Sequence, residues 1–144
     1  MNLEFNIAVH VLTYLTKHAP QQYTSSELAE NVCVNAVQLR RVMQTLIAHD
    51  YVDVRRGKYG GYQARANTRE VSLGELYDLF HDPMGNARVF TGNEQNKCKI
   101  SSQIGGVMSQ HFDGAHQMLK AYYDTICIQD VLTSIVKEDI YEKI

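Results

Sequence analysis

Gln38, Arg40, Arg41 and Gln44 lie on the side of an amphipathic segment that its apolar residues leave vacant. Between Ala36 and His49, the residues Leu39, Val42, Met43 and Leu46 recur at intervals of three and four, with Val37 or Ala36 starting the stripe. That spacing predicts a helix with one core-facing side. Arginine and glutamine suit bidentate hydrogen bonding to guanine and adenine edges in the major groove of duplex DNA. A second set follows at once: Arg55, Arg56, Lys58 and Tyr59, threaded by Gly57, Gly60 and Gly61. Cations on a glycine-tipped hairpin can reach phosphates or a minor groove. The candidate DNA-contacting residues are therefore Ala36, Val37, Gln38, Arg40, Arg41, Gln44, Arg56, Lys58 and Tyr59.

These side chains need a scaffold, and the flanking sequence predicts one. Thr24 with Glu27 three residues on is a capping box that opens a helix, and Leu28, Ala29 and Val32 form its buried stripe. Asn35 can cap the next helix, with Gln38 at the third helical position. Two short helices joined by a tight turn, the second with a polar basic face, have the pattern of helix-turn-helix recognition. Tyr51-Val-Asp-Val54 and Tyr62-Gln-Ala64 are the predicted strands of a wing whose tip carries the cations, the three glycines supplying positive φ angles. Upstream, Leu3 to Lys17 is an apolar-rich helix ended by Pro20, fit to lie beneath the reader.

Charge segregation supports this placement. The chain of 144 residues has a formal net charge of −2, yet residues 36–69 hold seven cations and two anions. Beyond Glu70, six cations face ten anions. A basic face on an acidic body fits DNA binding, because affinity comes from local phosphate neutralisation. No run of about 18 apolar residues predicts a membrane span, and Met-Asn-Leu-Glu-Phe-Asn lacks the features of a secretory signal. A cytoplasmic location is expected.

The second half predicts an assembly element. Ser72 with Glu75 opens a helix through Phe80, closed by Asp82-Pro83, and a loop of about sixteen residues follows, long for a connection. From Ile100, apolar residues recur at alternating threes and fours as far as Ile126, the spacing of a coiled coil. Nothing of matching length exists in the chain to cover such a helix, so a second copy is the expected partner. Gly105, Gly106 and Gly114 cost about 1 kcal/mol each in a helix; they either allow close backbone approach or delay the helix start. A last helix is predicted from Ile128 to Tyr141. The expected organisation is a winged helix-turn-helix domain over 1–83, a sensing loop over 84–99, and a dimerisation helix with a C-terminal helix over 100–144. The fold class is mainly α with a small β wing.

At the wing the sequence resembles a known family. Arg56-Gly57-Lys58-Tyr59-Gly60-Gly61-Tyr62, after a helix-turn-helix and before Val71-Ser-Leu-Gly-Glu-Leu, is similar to the wing of the Rrf2 family of winged-helix transcription regulators. The likeness runs over essentially the whole chain. It implies a homodimer on a near-palindromic operator, usually a repressor under the control of a signal. Cluster-binding members carry three closely spaced cysteines before the long helix; here Cys98 stands alone, with Gly92 and Asn86 six and twelve residues earlier. The expectation is a thiol-only member without a cofactor. The family's first helix begins with basic residues near DNA, where this chain has Glu4 and Asn6.

The three cysteines, Cys33, Cys98 and Cys127, do not make a disulfide framework. Cys33 precedes the reader helix and so lies near its positive end, and Cys98 lies between Lys97 and Lys99; both settings favour thiolate. Cys33 and Cys98 are the candidate redox-sensing pair, within or between subunits, whereas Cys127 between two isoleucines reads as a small buried hydrophobe. The histidines lack zinc-ligand spacing, and no phosphate loop or catalytic constellation is present, so no metal and no enzyme activity are expected. Two other readings stand beside the leading one: a DNA-binding regulator that answers to an iron–sulfur cluster or small ligand, and a protein–protein adaptor.

Overall fold

A computed structural model of the chain describes residues 2–81 and 88–142, with side chains of the last helix described as far as Lys137. Asn86 and the Asp82-Pro83 helix stop lie outside the described residues. The elements are α1 (Leu3–Lys17), α2 (Ser25–Val32), α3 (Ala36–Ala48), β1 (Val52–Arg55), β2 (Gly61–Ala64), a 3-10 turn (Thr68–Glu70), α4 (Leu73–Phe80), α5 (Lys99–Asp124) and α6 (Ile128–Glu142). The fold is mostly helical with a small antiparallel sheet of two strands, as the sequence predicts.

By contact the chain divides into two units, Met1–His81 with Tyr123–Ile144, and Asp82–Tyr122. The first holds the core. Phe5, Ile7, Ala8, Val11, Leu12 and Leu15 make α1 its central element, packed against α3, α4 and α6. Thr13 and Thr16 sit in that buried surface because each hydroxyl donates to the carbonyl one turn back, Val9 O and Leu12 O, both at 2.7 Å. Leu28, Leu39, Val42, Met43 and Leu46 are fully buried and close α2 and α3 over it. The return of α6 to this unit is fixed by backbone pairing. Leu73 N–H donates to Ile126 O at 2.8 Å, and Ile128 N–H donates to Val71 O at 2.9 Å. Cys127 is half-buried in that pairing rather than enclosed. Phe5, Tyr77 and Tyr123 pack ring against ring, 5.4–6.0 Å apart.

Local chemistry sets the helix starts. Thr24 and Glu27 form the full capping box, with Thr24 Oγ1 accepting from Glu27 N–H at 3.2 Å and Glu27 Oε2 accepting from Thr24 N–H at 2.9 Å. Asn35 Oδ1 accepts from Gln38 N–H at 2.8 Å, and Ser72 Oγ from Glu75 N–H at 3.0 Å. Asn2 caps α1 in the same manner through Phe5 N–H.

The helix α5, which belongs to the second unit as far as Tyr122, is one uninterrupted helix of 26 residues that starts at Lys99 and runs through all three glycines. None of its residues is buried. Ile100, Val107, Met108, Met118 and Tyr122 are exposed. Before it, Gly92 has φ +81°, and a Cβ there would lie 2.1 Å from Ser101 O. No helix among the described residues is long and apolar enough to cross a membrane.

Candidate nucleic-acid interface

The turn between α2 and α3 sets the outer face of α3. Cys33 takes the left-handed conformation (φ 63°, ψ 46°), its N–H donates to Glu30 O at 3.3 Å, and Val34 N–H donates to Ala29 O at 3.1 Å. This is the Schellman closure of α2, with cysteine where glycine is usual. Asn35 then begins α3 at once.

On α3 the two faces separate cleanly. Leu39, Val42, Met43 and Leu46 have no exposure, whereas Val37, Arg40, Arg41 and Gln44 point outward. Val37 is 64% exposed, so the choice at the start of the stripe falls to half-buried Ala36, and Val37 joins the outer face. The reason is helical phase: position 37 stands one and two turns from 40, 41 and 44. Gln38 is half-buried beside them, and Asn35, Val37, Gln38 and Arg41 line an open recess at the first turn of α3. Among the described residues the side chains of Gln38, Arg40 and Gln44 have no intramolecular hydrogen bond, so their donors are available to a ligand. Arg41 differs, since its Nη1 lies 3.7 Å from Glu4 Oε1 of α1.

The wing is built by close backbone approach. Val52 pairs with Ala64 and Arg55 with Gly61. Tyr23 adds an isolated bridge outside β2: its N–H donates to Tyr62 O at 3.0 Å, and Tyr62 N–H donates to Tyr23 O at 2.7 Å. At the base, Thr68 Oγ1 donates to Tyr51 O at 2.6 Å and accepts from Arg65 N–H, while Arg65 Nη1 lies 3.1 Å from Asp53 and 3.8 Å from Asp50. Arg65 is thus neutralised, and the cations left at the tip are Arg55, Arg56 and Lys58, all exposed and without a carboxylate partner among the described residues. Tyr59 is 85% exposed, with Lys58 Nζ 5.7 Å from its ring centre.

The glycines of the tip serve different ends. Gly57 has φ +109°, the positive angle expected of a tight tip. Gly60 does not take a positive φ; it is needed because a Cβ would stand 1.9 Å from the Arg55 carbonyl oxygen. Gly60→Ala is therefore expected to open the hairpin tip, lowering affinity for any duplex by about tenfold through lost phosphate contacts and, because the clash is with backbone, lowering the melting temperature by a few degrees. Fluorescence anisotropy with a thermal melt checks both.

The two candidate redox cysteines stand in different units. Cys98 is exposed just before the first residue of α5, and the backbone N–H groups of Ser101 and Ile100 face its sulfur. Those hydrogen bonds hold its thiol below the ordinary cysteine value. Cys33 is also exposed, but its left-handed backbone turns the sulfur towards the end of α2, 3.6 Å from Glu30 O and 3.8 Å from Asn31 O. Its sulfur therefore lies beside the last carbonyls of α2.

The described residues do not supply a ligand set for a metal cluster. Among the described residues no three His, Cys, Asp or Glu side chains converge. Gly92, six residues before Cys98, stands where any side chain would strike Ser101 O.

Sequence reasoning missed the Tyr23 bridge, and it took Glu4 only as a departure from a pattern. Neither contact has a local signal, because each joins segments far apart in the chain.

The comparisons with known proteins agree with this geometry. The family model for Rrf2, described as iron-dependent transcriptional regulator, matches residues 1–134. The crystal structure of a candidate transcriptional regulator from Lactobacillus plantarum is 30% identical, with a TM-score of 0.85 over 99% of this chain and 96% of that one. The oxidised form of Staphylococcus aureus CymR is 16% identical, with a TM-score of 0.65 over 91% and 94%. T. potens IscR is 15% identical, with a TM-score of 0.68 over 94% and 87%. No curated protein matches the sequence.

Proposed function

Because the chain belongs to the Rrf2 family of transcriptional regulators, we propose that it is a cytoplasmic homodimeric repressor that reads a near-palindromic operator and releases it on thiol oxidation. The observation that carries the DNA reading is the outer face of α3. Arg40 and Gln44 project from it with their donors unsatisfied, beside a wing with three cations at its tip. In the proposed complex α3 enters the major groove, with Ala36, Val37, Gln38, Arg40, Arg41 and Gln44 toward base edges and Arg56, Lys58 and Tyr59 on the backbone.

The dimer is supported by α5. Ile100, Val107, Met108, Met118 and Tyr122 along it are exposed, and Gly106 and Gly114 have open space where a Cβ would be. Both features suit a second α5 lying close alongside. Two readers held this way would engage half-sites one helical turn, or a multiple, apart.

For sensing, Cys98 is the nucleophile. Its thiolate attacks a hydroperoxide, taking the terminal hydroxyl to become sulfenic acid while the peroxide's other oxygen leaves as hydroxide or alkoxide, protonated to water or an alcohol. The Cys33 thiol then attacks that sulfur, forming the disulfide and expelling water, so two electrons pass from the thiols to the peroxide. Within or between subunits, this crosslink would displace the turn that presents α3. The likeness to the oxidised form of CymR is in keeping with such chemistry.

Peroxide titration followed by non-reducing gels and DNA binding tests the sensing. The wild type should crosslink and release DNA, and Cys98→Ser should do neither. Alkylation of Cys98 should remain fast below the pH where an ordinary cysteine slows, because its thiolate persists there. Crosslink-free release, or release unaltered in Cys33→Ser, contradicts the switch.

A further inference from the structure

Among the described residues, α1 sets a carboxylate against the outer face of α3. Glu4, in the first turn of α1, places Oε1 3.7 Å from Arg41 Nη1. That distance is too long for a hydrogen bond, and the Arg41 side chain is still 70% exposed. An exposed pair of this kind is weak, so its arginine can leave when something better is offered. Arg40, its neighbour, has no such carboxylate among the described residues.

We infer that Glu4 is a specificity-determining residue, which restrains Arg41 from indiscriminate phosphate contact and leaves a carboxylate beside the reader. This rests on the reading of α3 as the DNA-contacting helix. A random duplex offers Arg41 only phosphates, and the phosphate that takes it must approach the Glu4 carboxylate. Non-specific affinity is almost wholly phosphate neutralisation, so that repulsion falls on it in full. A correct operator offers Arg41 a base edge with two acceptors, a stronger replacement for Glu4. The carboxylate therefore lowers binding to random DNA more than binding to the operator, and the ratio between them rises.

Glu4→Gln tests this, since it removes the charge and keeps the shape at an accessible position. Binding is measured by anisotropy on a random-sequence duplex across a salt series, and on the operator recovered by binding-site selection. Affinity for the random duplex should rise about three- to tenfold, the scale of one unit-charge repulsion near water. The slope of log affinity against log salt should steepen by about 0.9, and the operator should gain less. In an Arg41→Gln background most of the gain should vanish. Unchanged affinity and slope in Glu4→Gln overturns the inference, and so does an equal gain on both DNAs. A full gain without Arg41 overturns it too, because Glu4 would then act without that arginine. Absence of any DNA binding by the wild type would instead overturn the proposed function itself.

Discussion

Paired substitutions Val107→Asp and Met118→Asp are expected to leave the protein monomeric in sedimentation and to lower operator affinity by about a hundred- to ten-thousandfold, the scale of lost bivalency. Both side chains are exposed on α5, Val107 at 47% and Met118 at 76%. They stand three helical turns apart, so they share a face. A helix of 26 residues is about 39 Å long. Leaving its apolar face in water forgoes about 25 cal/mol for each Å² that could be covered. An aspartate in such a seam must be desolvated without a partner, which costs several kcal/mol. The winged unit should keep its secondary structure, because Val107 and Met118 belong to the other unit and neither is buried. Far-UV circular dichroism close to wild type, with a monomer mass and weak half-site binding, is the full expected result. A dimer that persists would mean that another surface holds the subunits.

Arg40→Ala should weaken operator binding by roughly 5- to 150-fold, the cost of one bidentate base contact, while binding to random duplex changes far less. Arg40 is exposed on the outer face of α3 and has no ion-pair partner among the described residues, so its guanidinium needs no release before it meets a base. Lys58→Ala provides the contrast. It lies on the wing tip, where the proposed contact is with phosphate, so both DNAs should lose affinity alike and the salt slope should fall by about 1. Equal losses on both DNAs from the Arg40 change would remove that residue from base reading. Electrophoretic competition with operator and random duplex separates the two patterns.

What could be read from the sequence was what local chemistry decides. The span of α1 from Leu3 to Lys17 follows from its apolar spacing, and the starts of α2, α3 and α4 follow from Thr24, Asn35 and Ser72, whose side chains cap amides three residues on. The reader face was legible for the same reason, apart from the first turn, where Ala36 and Val37 are both apolar and only packing chooses between them. The rest depends on contacts across long sequence distances. Gly60 is required by the Arg55 carbonyl on the opposite strand, and the wing is braced by Tyr23, which lies before α2. Arg41 meets Glu4 only because α1 passes beneath α3. Cys33 illustrates a different limit: its place before α3 was plain, but the left-handed backbone that turns its sulfur back toward α2 has no signature in a cysteine. In α5, helix propensity argued against three glycines, and the helix forms through them nonetheless.

Selection of binding sites from a pool of randomised duplexes, with the reduced wild-type protein, tests the central claim most directly. The account predicts enrichment of an inverted repeat whose half-sites lie about 10–10.5 base pairs apart, centre to centre, or a multiple of that, bound by a dimer. Recovery of no enriched sequence, or of a lone half-site bound by a monomer, would contradict it.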